Sequence, residues 1–138
     1  MNKYDIAITA HGSKSEDLVN LIRKYRNDLA ELSIVATPDT ASVIQRNTGL
    51  PVGLLKESIS GGYLHIAQLI ANHDIKMVIF LCDFSLINVD ESIGAMLQAC
   101  TLYDVPLANN IATAEFILER YLEKQMAIRY RTPERVLV

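Results

Sequence analysis

Short apolar segments rich in β-branched residues alternate along the chain with segments in which apolar residues recur every three or four positions. The first pattern is typical of strands buried on both faces, and the second is typical of amphipathic helices. The clearest strand is residues 77–81, which contain no polar side chain. This alternation is typical of parallel βαβ units, so we predict a three-layer α/β fold with a mostly parallel five-stranded sheet and helices on both faces.

The predicted elements follow one another with short connections. Gly49 and Pro51 are expected to end the second helix, and Pro106 places the fifth strand at a sheet edge or at a strand start. Strands are predicted at residues 6–10, 32–36, 52–55, 77–81 and 105–108, with a further terminal strand at 126–130. Helices are predicted at residues 18–29, 39–48, 61–71, 93–100 and 113–124. Asp90 can serve as the N-cap of the fourth of these helices.

Length and composition limit the classes of protein to which the chain can belong. It has 138 residues, half of them apolar, which suits a single domain over residues 1–138 with one sizeable core. The net charge of −3 gives no reason to expect nucleic acid or an anionic membrane as a partner. No signal peptide or segment of transmembrane length is recognisable, so the cytoplasm is the expected location.

The cysteine pattern argues against a metal site. Cys82 and Cys100 are the only two cysteines, and no His or Cys residues stand at the spacing of zinc ligands. Two free thiols suit a reducing compartment, and Cys82, which follows a buried strand, is expected to be structural rather than nucleophilic. We therefore expect no disulfide framework and no zinc site.

Ligands of parallel α/β sheets bind beyond the carboxyl ends of the strands, so the residues there are the candidate site. After the first strand comes His11, followed by Gly12, which permits a tight turn, and Ser13, which can cap the next helix. Lys14 with the N–H groups of that helix would suit an anion. The alternative is a plain strand-to-helix turn with a solvated lysine.

The ends of the next three strands carry further candidates. Thr37 and Thr40 can either cap a helix or hold phosphate oxygens. Gly61 and Gly62 allow a close approach of the backbone to a ligand. Asp83 follows the apolar strand directly, where it can orient a histidine, act as a base, or only hold a loop by hydrogen bonds.

These residues resemble the methylglyoxal synthase family over nearly the whole chain. The first strand ends in Ala-His as in that family, residues 35–37 with Thr40 are similar to its Ala-Thr-Gly-Thr-Thr-Gly loop, and Gly61-Gly62 matches its Gly-Gly pair. Asp83 matches the acid after its fourth strand. Lys14 is the nearest match to its phosphate-contacting lysine, although a gapless alignment puts Ser15 there. The most specific match is residues 105–116, VPLANNIATAEF, which resemble Ile-Pro-Val-Ala-Thr-Asn-Val-Ala-Thr-Ala-Asp-Phe.

The resemblance implies a homo-oligomer, commonly a hexamer, and a lyase that converts dihydroxyacetone phosphate to methylglyoxal and phosphate without a metal or an organic cofactor. In that reaction a carboxylate removes a proton next to the carbonyl, an enediolate forms, and phosphate is eliminated while histidine assists proton movement. For this chain the resemblance implies that His11 is the histidine. It also implies a small-molecule ligand, phosphorylated or not, bound by Lys14, Thr37, Thr40, Gly61 and Gly62.

The chain departs from the family pattern at the chemistry. Tyr63 stands where the family has its catalytic aspartate, and an unperturbed tyrosine, which titrates near ~10, is a poor base at neutral pH. Val89 replaces a histidine. Asp39 and Glu57 replace hydroxyl residues of the phosphate pocket, where they either oppose an anion or point to water.

Three functions follow from these departures. The main prediction is a methylglyoxal synthase-like protein with a degenerate active site that binds a small metabolite and has lost or altered its lyase activity. The alternative is an active synthase in which Asp83 or Asp90 is the base and His11 the proton donor. A third is an assembly or regulatory protein without a small-molecule site.

Overall fold

The computed structural model describes residues 3–56, 59–83 and 91–129. Its strands are β1 Tyr4–Ala10, β2 Ile34–Ala36, β3 Gly53–Leu54, β4 Ile75–Leu81 and β5 Leu107–Ala108. Its α-helices are α1 Ser15–Lys24, α2 Arg26–Leu29, α3 Pro38–Thr48, α4 Ile59–Ala71, α5 Glu91–Leu102 and α6 Ile111–Arg129. A single 3-10 turn, Gly12–Lys14, joins β1 to α1.

The five strands form one parallel sheet in the order β3-β2-β1-β4-β5. The central strand β1 pairs in parallel with β2 and with β4, so that Ile6 lies beside both Ile34 and Met77. The edge strand β5 begins just after Pro106, whose carbonyl accepts a hydrogen bond from the Val78 N–H at 2.9 Å. The predicted parallel α/β fold and the edge position of this proline are therefore confirmed.

Successive side chains of each central strand enter two separate cores, one on each face of the sheet. Ile6 and Ile8 pack on one face with α1, α3 and α6, whereas Ala7 packs on the other with α4 and α5. Burying each such aliphatic side chain stabilises the fold by roughly 1.5–3 kcal/mol. In the described part of the chain, no helix combines the length and the apolar character needed to cross a membrane.

Two predicted elements differ from the structure in more than their bounds. The first predicted helix is divided at Tyr25, whose backbone leaves the helical region (φ −112°, ψ 17°). The Tyr25 ring is buried, and its hydroxyl donates a hydrogen bond to the Glu119 carboxylate on α6 at 2.9 Å. The terminal strand predicted at residues 126–130 is wrong as far as residue 129, because α6 continues to Arg129. Its five residues contain no glycine or proline that would end a helix, and both Met126 and Ile128 are exposed.

Candidate functional site

A cleft of about 340 Å³ opens at the carboxyl ends of β1 and β2, where parallel sheets bind ligands. Its volume lies within the range of small-molecule sites. Four candidates from the sequence, His11, Thr37, Thr40 and Tyr63, line it together with Asp39. The rest of the described lining is Thr9, Ala10, Gly12, Ser15, Leu18, Pro38 and Val43.

The β1 side of the cleft is a hydrogen-bonded loop around His11. The His11 backbone N–H donates to the Leu81 carbonyl at 2.9 Å, so the residue continues the β1–β4 ladder. The Asp83 backbone N–H donates to His11 Nδ1 at 2.8 Å. The Ser13 hydroxyl donates to Asp83 Oδ2 at 3.0 Å, so the prediction that Ser13 caps α1 is wrong: Lys14 holds the N-cap position.

Hydroxyl groups form the β2 side of the cleft. Thr37 occupies the N-cap position of α3, but its hydroxyl makes no cap bond and donates to Thr40 Oγ1 at 3.0 Å. Thr40, only 2 % exposed, accepts the Ala10 N–H at 3.1 Å and donates to the Ala10 carbonyl at 3.4 Å. With the bond from Thr37, the Thr40 hydroxyl accepts two hydrogen bonds and donates one, which is its full capacity. Thr40 therefore links α3 to β1, and Thr37 has the more accessible hydroxyl of the two.

The glycine pair brings α4 against the threonine loop. A Cβ added at Gly62 would lie 2.8 Å from Thr37 Cγ2, closer than real Cβ contacts allow. Gly61 precedes it in the same helix. Gly62 therefore lies close to a protein side chain, that of Thr37, rather than to a ligand. This close contact sets the position of the next residue, Tyr63, at the cleft.

Tyr63 is a core residue that also reaches the cleft. It is 2 % exposed and belongs to the core between the sheet and helices α4 and α5. Its ring meets Phe80 edge to face, with the centroids 5.5 Å apart, and His11 also lies edge to face with Phe80, at 6.4 Å. Packed aromatic rings therefore lie beside His11 in the cleft.

The described lining carries negative rather than positive charge. Asp39, exposed in the first turn of α3, is its one charged side chain, and Lys14 does not take part in the lining whereas Ser15 does. Asp39 already occupies the positive end of the helix dipole, a position worth roughly 0.3–1 kcal/mol to an anion. Among the described residues, no group of three His, Cys, Asp or Glu side chains is arranged to hold a metal ion.

Two candidates from the sequence, Asp90 and Glu57, lie outside the described residues. Cys82 is buried at the end of β4, and burial raises the pKa of its thiol, with the Asp83 carboxylate adding to the effect. A raised pKa keeps the sulfur protonated, so this cysteine has the character of a structural thiol.

Several lining residues were not singled out from the sequence. Thr9 is a buried polar residue near the end of an apolar strand, and its hydroxyl lies 3.4 Å from that of Thr37. A polar residue at that point of a buried strand is a usable signal. Leu18 and Val43 carried no such signal, because their spacing marks them as ordinary core-facing residues of helices.

A family model described as the MGS-like domain matches residues 17–109, about two thirds of the chain. The chain belongs to this family. A methylglyoxal synthase of Clostridium perfringens is 39% identical over 114 residues, which cover 82% of this chain and 96% of that protein. A methylglyoxal synthase of a Thermoanaerobacter species is 40% identical over 116 residues, covering 83% and 88%. The crystal structure of methylglyoxal synthase from Elizabethkingia anophelis matches with a TM-score of 0.73 at 29% identity, over 84% of this chain and 77% of that one.

These similarities confirm the family and the fold predicted from the sequence. They extend over most of the chain, and the matched residues 17–109 include the threonine loop, the glycine pair and Asp83. His11, Gly12 and Ser13 precede the matched residues, although the fold places them at the same cleft. In this MGS-like domain, the residue that follows the glycine pair is the buried Tyr63.

Proposed function

We propose that this MGS-like domain protein binds a small metabolite in the cleft and has lost or altered the lyase reaction. The observation that supports this proposal is the 2 % exposure of Tyr63, packed on Phe80 at the place where the family resemblance puts an aspartate. A base must reach the proton that it removes and must be deprotonated at the working pH. A tyrosine, with an ordinary pKa near ~10, does not meet the second condition at neutral pH.

The charge of the cleft bears on the class of ligand. Its described lining has the Asp39 carboxylate and no lysine or arginine, so it offers hydroxyl groups and the His11 ring rather than a cation. Two unit charges at 4 Å interact by about 4 kcal/mol at an effective dielectric of about 20. Because Asp39 is exposed, an anionic group placed beside it would lose at most that much affinity, and the sign of the effect favours a ligand whose oxygens in the cleft are neutral.

Two assays on the wild-type protein test this proposal. With dihydroxyacetone phosphate as substrate, we expect methylglyoxal formation far below the about 1–10³ s⁻¹ of ordinary enzymes. In a thermal-shift screen of dihydroxyacetone, dihydroxyacetone phosphate and inorganic phosphate, we expect a neutral oxygen-bearing compound to raise the melting temperature, since a ligand at 100 times its Kd stabilises by about 2.7 kcal/mol.

A pair of neighbouring substitutions on α3 shows whether binding occurs in the cleft. Val43→Trp would fill the cleft, whereas Ser42→Trp changes an exposed residue outside it. Only Val43→Trp should abolish the thermal shift. Turnover of dihydroxyacetone phosphate at an ordinary enzymatic rate, or an equal loss of binding in both variants, would contradict the proposal.

We also propose that the protein forms a homo-oligomer, and a hexamer is the expected size. Helix α6 exposes three large apolar side chains, Phe116 at 77 %, Ile128 at 62 % and Met126 at 54 %. Apolar surface of this kind marks interaction sites when it is contiguous. Light scattering after gel filtration should give about six times the 15.4 kDa of one chain, and a mass of one chain would contradict the proposal.

The competing function is an active methylglyoxal synthase, which the names of the relatives favour. In that case Asp83 or Asp90 would act as the base and His11 as the proton donor. The Asp83 carboxylate accepts a hydrogen bond from the Ser13 hydroxyl, and the Asp83 backbone N–H donates one to His11 Nδ1. If the protein proves active, Asp83→Asn and Asp90→Asn would identify the base, and an unchanged rate in both would remove these roles.

A further inference from the structure

The hydrogen bond to the His11 ring defines which of its nitrogens carries the proton. A backbone N–H is always a donor, and the Asp83 N–H lies 2.8 Å from His11 Nδ1. Nδ1 must therefore act as the acceptor. A neutral imidazole has one donor and one acceptor nitrogen, so the proton of His11 is on Nε2.

Ser13 forms a hydrogen bond with Asp83, the residue whose N–H donates to His11 Nδ1. Its hydroxyl donates to Asp83 Oδ2 at 3.0 Å, across 70 positions of sequence. Ser13 is also only two residues from His11, so the three residues close a ring of contacts, in which the Ser13 side chain fixes Asp83 and the Asp83 backbone fixes His11. The His11 backbone is fixed in turn by its own bond to the Leu81 carbonyl at 2.9 Å.

We propose that Ser13 is a positioning residue which, through Asp83, keeps His11 in the Nε2–H tautomer, so that the cleft presents an N–H donor to a ligand oxygen. His11 lines the cleft, and its Nδ1 edge is occupied by Asp83, which leaves Nε2 as the polar atom of the ring for a ligand. The partner that fits is a neutral acceptor, a carbonyl or hydroxyl oxygen of the ligand. This ligand contact deepens, and rests on, the proposed function, whereas the tautomer itself is measured without any ligand.

The test is a long-range ¹H–¹⁵N correlation spectrum of the ¹⁵N-labelled full chain, which distinguishes protonated from unprotonated ring nitrogens. It is recorded about two pH units above the ~6.5 of an unperturbed histidine, where imidazoles are neutral. Loss of one ring signal in His11→Gln separates His11 from His65 and His73. We expect His11 Nδ1 to have the shift of an unprotonated nitrogen and Nε2 that of a protonated one.

Three serine variants test the positioning role. In Ser13→Ala both ring shifts should move toward the average of the two tautomers, because the contact that fixes Asp83 is lost. Ser13→Thr keeps the hydroxyl and should restore the wild-type shifts. Ser42→Ala, at an exposed position on α3 away from His11, should leave the shifts unchanged. Ser13 is exposed, so we expect all three backbone amide spectra to show the native fold.

Two results would overturn the proposal. A wild-type ring with its proton on Nδ1 would remove the tautomer assignment. Ring shifts in Ser13→Ala identical to those of the wild type would remove the role of Ser13 and leave the tautomer to the Asp83 backbone alone. Neither result depends on whether the cleft binds a metabolite or catalyses a reaction, so failure of this proposal is distinguishable from failure of the proposed function.

Discussion

Replacing Tyr63 with alanine tests whether this residue belongs to the core. Its side chain is 2 % exposed and packs edge to face on Phe80 at 5.5 Å. Truncation of a buried aromatic residue to alanine destabilises by about 3–5 kcal/mol. Because Tyr63 also borders the cleft, water can enter part of the space left behind, so we expect a value near 3 kcal/mol. In urea unfolding followed by circular dichroism, that loss lowers the midpoint by about 1–3 M, at m-values of 1–3 kcal/mol per M.

Tyr63→Phe is the matched control. It keeps the ring and its contact with Phe80, so the loss should stay within about 1.5 kcal/mol, the net contribution of one hydrogen bond. A typical domain of this size is stable by about 5–15 kcal/mol, which leaves both variants folded enough to measure. A loss below about 1 kcal/mol for Tyr63→Ala, or equal losses for both variants, would refute a core role for the ring.

Three further predictions follow from the packing and the hydrogen bonds. In urea unfolding, Gly62→Ala should destabilise the protein by about 1–3 kcal/mol, because the new Cβ would lie 2.8 Å from Thr37 Cγ2. The control Gly94→Ala, whose new Cβ has no atom within 4 Å, should stabilise it by about 0.5–1 kcal/mol. Destabilisation by both substitutions would contradict the contact between residue 62 and Thr37. Thr40→Val should cost about 1–3 kcal/mol in the same assay, because it leaves the partly buried backbone N–H of Ala10 without its acceptor, and a neutral effect would contradict this role. Burial raises the pKa of Cys100 to about 11, so the folded state should lose stability as the pH rises from 9 toward 11. At pH 8, iodoacetamide should label the Cys100 thiol of the folded protein much more slowly than that of the protein unfolded in urea, and equal rates would contradict its burial.

The architecture was predictable from the sequence because the signals for it are local and repeated. The uninterrupted apolar residues 77–81 of β4 and the left-handed Gly49 (φ 74°) at the end of α3 have one common interpretation each. Residues 126–129 were less informative, because their mixture of Met, Ala and Ile fits a strand as well as a helix. The end of α6 therefore required the structure.

The site was predictable in outline and not in detail. Which hydroxyl groups remain accessible to a ligand depends on how α3 packs against β1, and no local pattern reports that packing. In the structure, Thr40 bonds to Ala10 of β1, and Thr37 is left more accessible. Lys14 and Ser15 differ by one position, but Lys14 ends the 3-10 turn and Ser15 begins α1, and of the two it is Ser15 that lines the cleft. The bond of Ser13 to Asp83 joins residues 70 positions apart, and no local pattern reports it.

The most direct test of the lost or altered lyase reaction uses stoichiometric protein and dihydroxyacetone phosphate, followed by phosphorus NMR. At equal concentrations, even a very slow enzyme would release phosphate within the time of the measurement. The residue after the glycine pair is the buried Tyr63, and on our proposal no carboxylate replaces it as the base, so we predict release no faster than in buffer alone. Release of one equivalent of phosphate together with methylglyoxal, well above the blank, would contradict the loss of the reaction.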